Sequence, residues 1–406
     1  SNFEGTPMRT LALIGFLIFY GSLYPFNFTP APPGALARLF SNWQLFTSRG
    51  DLLGNIGLFV PWGIAGMLAV PNTRTLLKTG ALTFLGGLTV ALVAQIAQIW
   101  VSTRDAALAD VFWNLVGIGL GAIPTRYLAQ RFHKSPKNTV AWTVPVVFLG
   151  GLVVSQWLPL IPSLDLQLVK DQFKSLITNP SVSIGTFAIQ AGTAVLAGYL
   201  IGVLHGKRSS VILLGLFVLT LTCGKFFLHG IRVDLSTPFG MATGTALWWI
   251  LTKTPSTKVN TAVMLTLISA YTINALSPFN FQSEPTTVSW LPFSALLEGS
   301  MLANTRAMMS NLVLFGGLLY IGANSAARVI PLSFALAFWV LLLELLQTML
   351  VGRTSDMTEP LLVLLVGYLL NAVQRVSTAP VESNQKIVPS SPPPPTPYKS
   401  VHPGAA

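Results

Sequence analysis

Apolar runs of about 17 to 22 residues recur along the whole chain, and they leave few folds open. A helix of that length crosses roughly 30 Å of hydrocarbon. The runs lack the period-two alternation of a barrel strand, so the segments that satisfy their own backbone groups in lipid here are helices. Composition agrees: 52% of the 406 residues are hydrophobic and 9% are charged, against about a quarter charged in an average soluble domain. Spans are expected near 8–24, 51–70, 77–100, 107–125, 139–157, 184–204, 209–228, 235–252, 259–276, 306–323, 329–350 and 357–374. The predicted fold is an all-α polytopic transmembrane bundle of about twelve spans.

The net charge of +11 would suggest nucleic acid only if the cations clustered in one soluble region. They sort between alternate loops instead. One set of loops and the tail carry 15 basic residues against two acidic ones, Glu4 and Glu382; the other set carries nine basic and eleven acidic. The positive-inside rule places the first set, and both termini, in the cytoplasm of a cell inner membrane. No nucleic-acid partner is expected; the partner is membrane lipid. Residues before Met8 are set aside, and the first run is long enough to be a span rather than a cleaved signal. The tail from Ser377, with its PSSPPPPTP stretch, is expected to be disordered.

The hexapeptide LYPFNF begins at Leu23 and LSPFNF begins at Leu276. Asn55 with Phe59 returns as Asn311 with Phe315, and Gln98 with Arg104 returns as Gln347 with Arg353. These offsets describe three parallel four-span units, 8–130, 138–254 and 258–375, with a tail from 377. The middle unit keeps the pattern of spans, a Trp157-Leu-Pro corner and Arg232, and loses most other polar signals.

Polar residues at the outer ends of the spans are the candidates for function. Unit one offers Asp51, Asn55, Gln95, Gln98, Arg104, Asp110 and Asn114; unit three offers Asn311, Glu344, Gln347, Arg353, Asp356 and Glu359. Gln95 and Gln98 share a helix face, as do Asp110 with Asn114 and Glu344 with Gln347. Glu344 lies deep in its span and calls for a cationic partner such as Arg353 or Arg306. Arginine donates two parallel hydrogen bonds to phosphate or carboxylate. The same residues also suit structural work, as caps of short turns or as snorkelling side chains.

Several weaker patterns read as structural. Cys223 reads as a small buried hydrophobe. Gly117 with Gly121, and Gly198 with Gly202, read as close helix approaches. Trp62, Trp100, Trp113 and Trp157 read as an interfacial belt. His229, Asp234 and Ser236 could be drawn as a triad only on sequence nearness. Neither a metal motif nor a cofactor motif is present in the sequence, and no cofactor is implied.

Asp51, Asn55, Phe59, Pro61 and Gly63, followed by Gln98, Arg104, Asp110, Asn114 and Gly117, resemble the VanZ-like family. Unit three keeps Glu344, Gln347 and Arg353 of that pattern, with Ala307 in place of Asp51 and Val363 in place of Asn114. The resemblance implies a cell-envelope role; the founding member lowers susceptibility to the glycopeptide teicoplanin. Three functions stay open. The protein binds or shields an anionic lipid-linked glycan or another envelope precursor, transports or flips such a lipid, or acts on it as an intramembrane enzyme through paired acids. Non-enzymatic binding is the preferred expectation.

Overall fold

The computed structural model describes residues 5–45, 49–69, 76–131, 136–163, 165–294, 301–325 and 327–378. The expected Pro-rich tail lies outside these residues from 379 on, as do Arg74, His133 and Lys134. Fourteen helices are present among the described residues: α1 (Gly5–Leu23), α2 (Ala35–Ser41), α3 (Arg49–Ala69), α4 (Leu76–Gln98), α5 (Leu108–Arg131), α6 (Pro136–Trp157), α7 (Leu166–Thr178), α8 (Ile184–His205), α9 (Lys207–Phe226), α10 (Ser236–Thr252), α11 (Ser256–Leu276), α12 (Met301–Asn324), α13 (Val329–Gln347) and α14 (Thr358–Thr378). No extended strand forms among them, and β pairing is limited to isolated bridges. Seven helices are long and apolar enough to cross a membrane: α4, α5, α8, α9, α11, α12 and α13. Met8–Leu23, Thr143–Trp157 and Thr358–Gln374 are shorter apolar helices.

Apolar side chains cover both the inside and the outside of the bundle. On α9, Ile212, Leu216, Leu219 and Cys223 are all exposed and recur at helical spacing. Cys223 is therefore not buried in protein, as its apolar surroundings in sequence had suggested. A lipid-facing stripe needs apolar residues as much as a core does, so hydropathy alone does not separate the two. Trp62 departs from expectation the other way. It is 8% exposed, packs in the core beside Ile18 and Phe59, and donates its indole N–H to the Thr83 carbonyl.

Two cores form. One joins Ile14, Phe59, Trp62, Ala91 and Ile118 from α1, α3, α4 and α5. The other runs continuously from Phe148 on α6 through Leu196, Trp248, Leu267 and Phe315 to Val363 on α14. Glycine sets the spacing inside both. A Cβ on Gly117 or Gly121 would stand 2.3 or 2.2 Å from the carbonyl oxygens of Ile56 or Val60, so α5 lies with its backbone directly on α3. Gly198 and Gly202 carry the same spacing with a different use: they make room for the Trp248 ring, which would lie 2.5 Å from a Cβ on Gly198. That ring donates to the Ser210 hydroxyl.

The chain turns the same corner three times. After α1, α6 and α11 come Phe26, Leu160 and Phe279, each at positive φ near 60°. Their amides donate to the carbonyls of Leu23, Trp157 and Leu276. Two residues further on, Phe28, Pro162 and Phe281 bridge to Val101, Leu228 and Leu350, in the turns that follow α4, α9 and α13. All three corners thus tie the first helix of a group to its third. We refer to this end of the bundle as the loop face.

Candidate functional site

At the first corner, Arg104 stands in the short turn between α4 and α5. Its Nε donates to the Tyr24 carbonyl at 3.1 Å and its Nη2 to the Gly21 carbonyl at 3.5 Å. Both acceptors belong to the end of α1, where helical carbonyls lack partners and the helix dipole favours a cation. Gln98 supplies another donor to the same helix end, from Nε2 to the Ser22 carbonyl at 2.9 Å. Gln95 is 2% exposed; its Oε1 accepts from the Ala107 amide, and its Nε2 donates to Asp110. Asn55 on α3, Asp51 and Arg104 lie close enough to Asp110 to act on it. Asn114, one turn along α5, is buried with its Oδ1 unpartnered.

The third corner repeats this arrangement with different side chains. Arg353 Nε donates to the Ser277 carbonyl at 2.9 Å, and Nη2 donates to the Ser277 and Asn274 carbonyls, both at 2.6 Å. Burial pulls the Arg353 pKa down from the ordinary arginine value, and the nearby Glu344 pulls it back up. Glu344 is 3% exposed and stands where unit one has Gln95. Its Oε2 accepts from the Asp356 amide, as Gln95 accepts from Ala107, and its Oε1 accepts from Gln347. Asn311 donates to Glu359 at 2.7 Å, and in unit one Asn55 lies beside Asp110. Asp356 receives the Thr358 amide and so caps α14.

The sequence candidates thus fall into two clusters. Asn55, Gln98, Arg104, Asp110 and Asn114 gather around the first corner, with exposed Asp51 at its edge. Asn311, Glu344, Gln347, Arg353, Asp356 and Glu359 gather around the third. In each, one side of the guanidinium, Nε with Nη2, is held by carbonyls. The Nη1 amine remains at the end of both forks; Arg353 spends both Nη2 hydrogens on carbonyls, and Arg104 spends one. The cation that acts on Glu344 is Arg353; Arg306 is elsewhere, donating from Nε to the Ser155 carbonyl.

Two patterns left open by the sequence do not form, an alignment of Arg232 with Arg104 and Arg353, and a triad. Arg232 is exposed, and the corner bridges align Ile231 with Arg104 and Arg353. The charges that act on Glu344 are those of Asp356 and Arg353. His229 is exposed, Asp234 accepts from Thr237, and the Ser236 hydroxyl accepts from the Ser183 amide, so these three residues make no triad. Among the described residues, no group of three or more His, Cys, Asp or Glu could hold a metal ion. The acceptors for both arginines were invisible in the sequence, because a backbone carbonyl is carried by every residue.

Residues 9–129 match the VanZ/LLP1 family model. No curated protein and no solved structure matches the chain. The matched stretch contains the whole first corner and its polar cluster. Over residues 9–129 the chain is thus similar to the VanZ/LLP1 family, and among the described residues it carries seven helices long and apolar enough to cross a membrane.

Proposed function

We propose that the protein is a cell-envelope protein of three parallel four-span units in the inner membrane. Its termini lie in the cytoplasm and its loop face outside, and it binds or shields an anionic lipid-linked glycan or a related envelope precursor there. The observation that carries this reading is the state of Arg104 and Arg353. Each guanidinium is fixed along one side by two helix-end carbonyls and keeps the end of its fork for an acceptor. A pre-positioned fork loses little freedom on meeting a phosphate, which favours binding. Beside it, Asp110 in unit one and Asp356 in unit three would accept from sugar hydroxyls. The recurrence of the corner supports the three-unit arrangement, and the loop charge bias supports the orientation.

The test is binding of a polyprenyl phosphate to the full chain in nanodiscs made of zwitterionic lipid. Arg104→Lys and Arg353→Lys keep the charge and lose the fork. Each is expected to weaken binding about tenfold, the effect of roughly one charge-assisted hydrogen bond. Unchanged affinity in both variants would contradict the reading. In a Gram-positive host, expression should lower teicoplanin susceptibility, and the double variant expressed at equal level should not.

A further inference from the structure

The middle unit looks empty in the sequence because its polar residues changed identity, not because the positions became apolar. The corner bridges put Val101, Leu228 and Leu350 in register. Three residues before each stand Gln98, Lys225 and Gln347; six before stand Gln95, Thr222 and Glu344. The same offset puts Thr237 where the other units carry Asp110 and Glu359. The close approaches of Gly117 to Ile56 and of Gly244 to Ala191 put Gln190 in the place of Asn55. So where units one and three have a neutral amide and a carboxylate, the middle unit has an ammonium and a hydroxyl. The polarity of the cluster is inverted.

A second cation arrives from outside the unit. Counting back from Phe26, Leu160 and Phe279, Ser155 is the counterpart of Gly21 and Asn274, whose carbonyls receive Arg104 and Arg353. The middle unit has Ile231 in place of that arginine, and Arg306 from α12 donates to the Ser155 carbonyl instead. Lys225 donates to the side chain of Gln156, the next residue. Arg306 is near enough to act on Lys225 as a like charge. The acid that acts on Lys225 is Asp234, which is already engaged as the cap of α10 through Thr237.

Hydrogen-bond capacity is left over at this spot. Lys225 is 2% exposed and has three N–H groups with one partner; half-buried Arg306 has five with one partner. Thr222 Oγ1 and Gln190 Oε1 are buried with no partner. Neither cation has a carboxylate within ion-pair distance among the described residues. A buried ammonium beside a half-buried guanidinium is costly unless an anion joins them.

We propose that Lys225 and Arg306 form an anion-binding site between the middle and third units, and that it takes a phosphate group. A phosphate offers acceptors to both the ammonium and the guanidinium at once. The site is separate from the clusters at Arg104 and Arg353.

The test uses the full chain purified in neutral detergent, with two probes. Inorganic phosphate is titrated against chloride at equal ionic strength, with the thermal midpoint as readout. Phosphatidylglycerol is titrated separately, with retained lipid read by native mass spectrometry. Wild type should respond to at least one probe. A response to phosphate assigns a free anion, and a response to phosphatidylglycerol alone assigns a lipid headgroup. Lys225→Gln, which installs the side chain of the sister units, and Arg306→Gln should each weaken that response about tenfold. Lys253→Gln, at an exposed cation on a connection at the other end of the bundle, should leave it unchanged, which separates this site from a general charge effect. If Lys225→Gln does not fold, Arg306→Gln decides. No response to either probe, or equal responses in wild type and in the folded variants, would overturn the proposal.

Discussion

Arg353 closes its corner with contacts of 2.6 to 2.9 Å, and Arg104 closes the equivalent corner at 3.1 and 3.5 Å. Removing a charged donor from helix-end carbonyls costs on the order of 1–3 kcal/mol. Arg353→Ala should therefore lower the thermal midpoint of the detergent-solubilised protein more than Arg104→Ala does, and the reverse ranking would contradict these geometries. Asn114 provides the opposite case. Its buried Oδ1 has no partner, and the equivalent position in unit three is Val363, fully buried. Asn114→Val should hold or raise the midpoint, by up to about 1 kcal/mol in stability; a clear fall would show that Asn114 has a structural partner. The recurrence of both arginines was legible in the sequence. What they hold was not, because the acceptors are carbonyls fixed by chain path. Lys225, Gln190 and Thr222 were missed for another reason: a search for the same residue passes over a position whose charge has changed.

Among the elements, α3 and α5 depend most plainly on single atoms. Gly121→Val would place a Cβ 2.2 Å from the Val60 carbonyl, whereas a Cβ on Gly119 meets only Phe84 at an ordinary 3.7 Å. Gly121→Val should abolish monodisperse protein on size exclusion, and Gly119→Ala should behave as wild type. Equal behaviour would refute the direct backbone packing of this pair. Every expected span coincides with a helix, because long apolar runs between charged breaks are a strong signal. The uses of those helices were less legible. Gly198 and Gly202 carry the same spacing as Gly117 and Gly121, yet their partner is a tryptophan side chain on another helix. The short helices α2 and α7 lie in loops too polar to show a span. α7 is nonetheless signposted by Asp165, whose carboxylate accepts the Gln167 amide as an N-cap. It is held on the loop face by Phe173, stacked on Phe226 at 4.4 Å.

At the scale of the molecule, α6 and α8 to α14 share one core and α1, α3, α4 and α5 form another. Tyr20 joins the two groups at the loop face, donating to the Pro292 carbonyl at 2.8 Å and meeting Phe293 edge-on. The account rests on three units that present their corners on one side of the membrane. The measurement that tests this most directly is labelling with a membrane-impermeant maleimide in intact cells, in a Cys223→Ser background. Single cysteines would replace Ala31, Ser181 and Ser283, exposed on the three corner loops, and Lys253 and Ala327, exposed on connections at the other end. The account predicts that the three corner cysteines react in intact cells and that the other two react only after permeabilisation. A corner cysteine that stays protected while another reacts would contradict the parallel arrangement of the units.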